Sequence, residues 1–117
     1  MHNNISLDID HPAATRASFF LNHINESLIE VPMEWQAWKM SDHMSGGGKF
    51  KSTGENPVTI TVLLCDSYHD GNEIAKANKL LVTSYAKWGV NGDILYYVEG
   101  EDTDKISTIL SLFAGEE

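Results

Sequence analysis

The sequence contains one cysteine, Cys65, and this scarcity excludes any internal disulfide. A lone thiol is typical of proteins kept in a reducing compartment, so we expect a cytoplasmic protein. No apolar run reaches the roughly 18 residues that a membrane-spanning helix needs, and we therefore expect no membrane interaction. The first ten residues show neither the basic stretch nor the apolar core of a secretion signal.

Basic residues are also scarce. The chain has 8 Lys and Arg residues against 17 Asp and Glu residues, a formal net charge of −9. Nucleic acids are bound through cationic side chains that neutralise phosphates, so we expect no direct nucleic-acid binding. An acidic surface favours solubility, and it also suits a basic protein partner.

The chain has the length of one domain, residues 1–117, and residues 57–100 show its most regular pattern. Apolar and β-branched residues alternate over 58–64, which predicts a strand. Apolar residues then recur at helical spacing over 74–88, and Asp70 is placed to cap the start of that helix. Asn91-Gly92 predicts a tight turn before a second strand over 94–98.

The remaining segments complete an α+β domain. In chain order we predict a strand over 5–9, a helix between Pro12 and Pro32, a strand over 33–40, a long loop over 41–56 and a C-terminal helix capped by Asp102. The first six helices and strands follow the ferredoxin-like βαββαβ sandwich, and the C-terminal helix is an addition.

The predicted loop contains a cluster of glycine and lysine. Three consecutive glycines can turn backbone N–H groups towards an anion, and two nearby lysines add positive charge. The residues are Gly46, Gly47, Gly48, Lys49 and Lys51. The spacing is not that of a Walker A loop. Two interpretations remain open: a binding loop for a small anionic ligand, or a flexible hairpin tip.

The element order and the Gly/Lys loop are similar to those of PII-type and PII-like signalling proteins. That resemblance implies a homo-oligomer, a dimer or a trimer, with ligands bound in clefts between subunits. Those proteins also have a long mobile loop between the second and third strands, with Gly and Lys near it.

Potentially reactive side chains follow the strongest strand. Cys65 and His69 would lie at the turn into the next helix, where a rigid strand can aim a catalytic or metal-binding group. Additional metal ligands would have to come from Asp42 and His43, and no recognised ligand spacing is present, so we predict no metal site. His43, His69 and Cys65 are the candidate catalytic residues. The alternative is a buried cysteine beside a surface histidine.

The second face of the predicted sheet is also a candidate site. Thr59, Thr61, Leu63 and either Tyr96 or Tyr97 would line it, with a tryptophan nearby. The element order resembles that of dimeric α+β-barrel proteins, in which two such faces enclose a cavity and some members are cofactor-independent enzymes. The alternative is that the C-terminal helix covers this face.

Three functions therefore stay open. The leading hypothesis is a small homo-oligomeric protein that binds a small anionic ligand or regulates a protein partner. The second is a dimeric α+β-barrel enzyme with His43 or His69 as general base. The third is an acidic inhibitor or immunity protein, indicated by the acidic residues over 99–104 together with Glu116 and Glu117, the last two of which lie outside the residues that the structure describes. No cofactor can be identified. We expect any site to form where the 41–56 segment meets the turn over 65–70.

Overall fold

A computed structural model describes residues 3–115. The elements, in chain order, are α1 (Ala14–Asn22), β1 (Leu28–Val31), the 3-10 turns Trp35–Ala37 and Ser41–His43, β2 (Met44–Ser52), β3 (Val58–Cys65), α2 (Tyr68–Ala77), β4 (Ala86–Asn91), β5 (Ile94–Gly100) and α3 (Thr103–Phe113). The strands form one antiparallel sheet in the order β1-β2-β3-β5-β4. Across this described range, no helix combines the length and apolar character needed to cross a bilayer.

The α+β class and the additional C-terminal helix are confirmed, and the domain is consistent with the ferredoxin-like class of α+β proteins. The order of the elements is different from the predicted one. The chain runs α-β-β-β-α-β-β-α instead of beginning with a strand. The two predicted strands that flank the central helix, β3 and β5, are antiparallel neighbours.

Residues 5–9 form no regular secondary structure and do not join the sheet, but their exposure alternates with period two, as in an extended chain. The Ile5 N–H donates to Asn22 Oδ1 at 2.6 Å, and the Leu7 N–H donates to Ser18 Oγ at 3.0 Å. Side chains of α1 thus replace a neighbouring strand as hydrogen-bond partners. The prediction of a first β-strand is therefore wrong, although its apolar side chains do pack against the core.

The predicted strand over 33–40 is a 3-10 turn, Trp35–Ala37, with irregular flanks. Trp35 and Trp38 pack against the core beneath α2. The segment is tied to the end of that helix by Asn78, whose Oδ1 accepts from the Lys39 N–H at 2.9 Å and whose Nδ2 donates to the Lys39 carbonyl at 3.1 Å.

The predicted loop over 41–56 is largely strand β2, and this prediction was wrong. The glycines allow close packing there. A methyl group on Gly47 would lie 2.6 Å from the Val62 carbonyl oxygen and 2.5 Å from the Leu63 side chain. Side chains of the 5–9 segment cover Gly46 and Gly48 on the opposite face. The true connection between β2 and β3 is only residues 53–57.

Helix α2 ends at Ala77, well before the predicted end near Gly89. The Leu80 N–H donates to the Ala75 carbonyl at 3.0 Å and the Lys79 N–H to the Lys76 carbonyl at 3.1 Å. Lys79 has a left-handed φ of 54°. These features form a Schellman motif, which terminates the helix.

Helices pack on both faces of the sheet. Helices α1 and α3 lie on one face, in a core that includes Ile60, Val62 and Phe113. Helix α2 and the Trp35–Ala37 turn cover part of the other, over Leu63 and Leu95. The alternative interpretation, in which the C-terminal helix covers the second face, is therefore wrong, because α3 lies on the face that carries α1. The start of α3 is as predicted, because Asp102 Oδ1 accepts from the N–H groups of the next turn.

Candidate functional site

The end of β3 leads directly into α2 through a two-residue turn. Asp66 follows the strand, and Ser67 is the N-cap of the helix, where its Oγ accepts from the Asp70 N–H at 3.0 Å. Ser67, not Asp70, is thus the capping residue. This leaves the Asp70 carboxylate in the first turn of α2 without a capping role, and its side chain is only 20% exposed.

The pairing of β2 with β3 brings a third side chain to this turn. Met44 lies opposite Cys65, so His43, at the end of the Ser41–His43 turn, lies beside Asp66. The Asp66 N–H donates to the His43 carbonyl at 2.9 Å. The 41–56 segment therefore meets the turn over 65–70 at this contact, and the expectation that a site forms there stays a prediction.

His43, Asp66 and Asp70 form a convergent cluster, which we call the HDD cluster. One ligand atom from each residue lies within 4.8 Å of the other two. His43 Nδ1 is 3.8 Å from Asp70 Oδ2, and His43 Nε2 is 3.7 Å from Asp42 Oδ2. Both distances exceed hydrogen-bond range, so the imidazole is held near the carboxylates without being bonded to them.

The HDD cluster lacks a compensating cation from the protein. Within residues 3–115, neither carboxylate forms an ion pair with a lysine or arginine. The three side-chain atoms that could serve as metal ligands also form no hydrogen bond there. Two carboxylates that face one another repel, and the repulsion is relieved by a proton or a cation. A cation placed between these carboxylates would offset that repulsion.

The donor set indicates which ion would fit. One imidazole nitrogen with two carboxylate oxygens suits first-row divalent ions such as Zn²⁺ and Mn²⁺, whereas Ca²⁺ prefers oxygen ligands alone. Three protein ligands from three separate elements would leave one or more coordination positions open. That is the arrangement of metal sites that bind a further ligand.

Cys65 lies next to the HDD cluster but is fully buried, with 0% of its surface exposed. Burial is the main cause that raises the pKa of Cys65 to about 12, and the charges of Asp70, Asp93 and Asp66 contribute in the same direction. The group is a neutral thiol at physiological pH, whereas nucleophiles and metal ligands are thiolates. Its catalytic role stays a prediction that this geometry does not favour.

His69 is exposed on the first turn of α2 and does not belong to the HDD cluster. Sequence reasoning identified His43 as a candidate but attributed no role to Asp66 and treated Asp70 as a helix cap. Acidic residues at a strand-to-helix turn are normally explained by capping and solubility. The available signal was the proximity of two aspartates to the end of a rigid strand.

The predicted anion-binding residues lie elsewhere on β2. Gly46, Gly47 and Gly48 are extended and paired with β3, so their N–H groups do not converge as they would in a loop. Lys49 and Lys51 lie opposite Thr61 and Thr59, on the sheet face turned away from α1. Anion binding by these five residues stays a prediction.

Two surface cavities are formed by other parts of the fold. One, of about 700 Å³, lies between residues 23–26 and helix α3. The other, of about 540 Å³, lies between residues 4–9 and the β1–β2 edge. Neither is lined by the HDD cluster, in which Asp66 is exposed and the His43 side chain is 45% exposed. Comparison with protein-family models, curated proteins and solved structures finds no match for this chain.

Proposed function

We propose that this chain is a small binding protein whose HDD cluster takes a divalent cation of the Zn²⁺ and Mn²⁺ class. The observation that supports it is the convergence of three unbonded donor side chains, His43, Asp66 and Asp70, within 4.8 Å. This proposal keeps the binding protein that the sequence predicts, but it replaces the expected anion with a cation and departs from the prediction of no metal site.

A bound cation would join the Ser41–His43 turn to the start of α2. The N-terminus of a helix carries a partial positive charge equivalent to about half an electron charge, which opposes a cation. Two full carboxylate charges outweigh that effect. The open coordination positions would accept water or an oxygen of a small anionic ligand, so the expected anion could bind through the metal.

A protonated His43 is the competing explanation for the same geometry. The two explanations predict opposite effects of pH. Imidazolium groups lose their proton as the pH rises through neutrality, whereas metal binding strengthens when its ligands are deprotonated. Cation binding that persists at about pH 8 therefore separates the metal site from an internal ion pair.

The test is isothermal titration of the chelator-treated protein with Zn²⁺ and Mn²⁺, and with Ca²⁺ for comparison, at about pH 8. We expect one Zn²⁺ per chain, with Ca²⁺ bound far more weakly. His43→Ala and Asp70→Asn should each weaken Zn²⁺ binding by at least about tenfold.

His69→Ala is the matched control, because it removes an exposed histidine of the same region that lies outside the HDD cluster. Zn²⁺ affinity should be unchanged in this variant. The proposal is wrong if the wild-type protein binds no Zn²⁺. It is also wrong if His69→Ala weakens binding as much as His43→Ala does.

A further inference from the structure

The cavity of about 540 Å³ is a groove on the sheet face that carries α1, and we call it the edge groove. The extended segment over 4–9 forms one wall, Glu30 of β1 stands opposite, and Gly47 and Phe50 of β2 complete the lining. Phe50 is buried, so the floor is apolar, whereas both walls are polar.

One wall presents unpaired backbone groups. Alternate residues of an extended chain direct their N–H and C=O groups to opposite sides. The N–H and C=O groups of Ile5 and the N–H group of Leu7 face α1, where they form hydrogen bonds with side chains of that helix. Ser6 and Asp8 must face the other way. Both are exposed, and in the part of the chain that the structure describes their backbone groups make no hydrogen bond.

The other wall is an open sheet edge. Strand β1 ends at Val31, opposite Lys49, whereas β2 continues back to Met44. The Cys65 N–H donates to the Asp93 carbonyl, so the backbone N–H and C=O of Cys65 point towards β5. Leu63 lies two residues earlier in the same strand, and its backbone groups therefore also point towards β5. Gly47 pairs with Leu63, so its own N–H and C=O point away from β3. They point to the side where β1 has already ended.

The charge of the edge groove is negative. Asp8 and Glu30 line it, and no lysine or arginine does. Unpaired strand edges bind extended peptides by backbone hydrogen bonds, while side chains provide specificity. A net charge of −9 would also attract a basic partner and repel a second copy of this chain.

We propose that the edge groove binds an extended segment of a partner protein that alternates apolar with basic residues. The segment pairs through its backbone with Ser6 and Asp8 on one side and with Gly47 on the other. Its apolar side chains pack on the floor near Phe50, and its Lys or Arg side chains reach Asp8 and Glu30. This surface is separate from the HDD cluster and does not depend on a bound cation.

Fluorescence anisotropy with a labelled, blocked octapeptide of alternating Val and Lys tests this proposal. The same peptide with N-methyl groups on alternate residues removes N–H donors from one edge only. We expect both methylation registers to weaken binding, because each removes the N–H donors of one paired edge: roughly tenfold on the edge that faces Ser6 and Asp8, and less on the edge that faces Gly47 alone. Equal binding of both registers and the parent would show non-specific attraction and overturn the proposal.

Two variants of the protein locate the site. Ser6→Pro removes an N–H that has no partner within the described residues, so binding should weaken roughly fivefold to tenfold while the melting temperature is unchanged. Glu30→Lys should weaken binding, and Glu34→Lys, an exposed site outside the groove, should have a smaller effect. Equal effects of the two charge reversals would contradict the proposal. So would self-association that the peptide displaces, because it would assign the groove to a second copy.

Discussion

Cys65 illustrates how burial decides the chemistry of a single residue. It ends β3, and a side chain at Gly71 of α2 would lie within 3.8 Å of its Sγ. Burial raises the pKa of this thiol from 9.0 to about 12. Above about pH 9 the unfolded chain binds fewer protons here than the folded chain, so the free energy of unfolding falls as the pH rises. Below that pH the contribution is fully present.

We therefore expect the stability difference between the wild-type protein and Cys65→Ala to shrink between about pH 8 and pH 10.5, by roughly 1–2 kcal/mol. Urea unfolding of both proteins at several pH values measures it. The pKa of Tyr97 is also raised by burial, but Tyr97 is present in both proteins and its effect cancels. Parallel pH profiles would show that Cys65 does not ionise differently in the two states.

His11 and His43 show two different environments for the same side chain. His11 Nδ1 accepts from the Ala13 N–H at 2.9 Å, which leaves Nε2 to donate to the Cys65 carbonyl at 2.7 Å. Both ring nitrogens are thus used to hold the start of α1 against β3. His43 has no hydrogen bond at either nitrogen within the described residues. Of these two histidines, only His43 is free to bind a cation.

The end of α2 is a feature of the element scale. Lys79 holds the left-handed position of the Schellman motif with φ 54°, where a side chain costs roughly 1 kcal/mol and glycine costs little. We expect Lys79→Gly to raise the free energy of unfolding by about 0.5–1 kcal/mol. Lys76→Gly, one turn inside the helix, should lower it by about 1 kcal/mol. Chemical denaturation of both variants checks the opposite signs, and two destabilised variants would contradict the assigned helix end.

The same position explains why the sequence did not predict where α2 ends. A glycine at 79 would have marked the end, whereas lysine left the apolar spacing uninterrupted towards Trp88. Elements with local signals were predicted well: the alternating strands β3 and β5, the Asn91-Gly92 turn and the helix capped by Asp102. Strand β2 has no such signal. Gly47 is required by its contacts with Val62 and Leu63, which only the folded chain brings together.

The candidate site depended on the same long-range pairing. His43 was identified because histidine in a predicted loop is a usual candidate for chemistry. Its contact with Asp66 follows from the β2–β3 register, which no local pattern specifies. The meeting of the two segments could be predicted, but not which side chains would converge.

At the scale of the whole molecule, charge and exposed apolar surface act in opposite directions. The net charge of −9 makes two copies repel at low ionic strength. Three large apolar side chains are nevertheless exposed between α2 and β4: Leu81, Val82 and Tyr85. Contiguous exposed apolar surface is typical of an interaction site. We predict that the expected homo-oligomer, if it forms, uses this segment, which we call the 81–85 surface.

Self-association through the 81–85 surface should strengthen as salt is raised from about 0.05 to 0.5 M, because salt screens the repulsion between acidic copies. Light scattering after size exclusion measures it. Val82→Asp should shift the protein towards monomer, since Val82 is 71% exposed and leaves no core cavity. Ile29→Asp, at a 53% exposed position on β1, is the matched control and should leave the mass unchanged.

Binding of a basic peptide in the edge groove should weaken with salt. Opposite salt dependence of self-association and of peptide binding would therefore show that the two surfaces are distinct. A molar mass that changes with neither Val82→Asp nor the salt concentration would contradict the predicted interface.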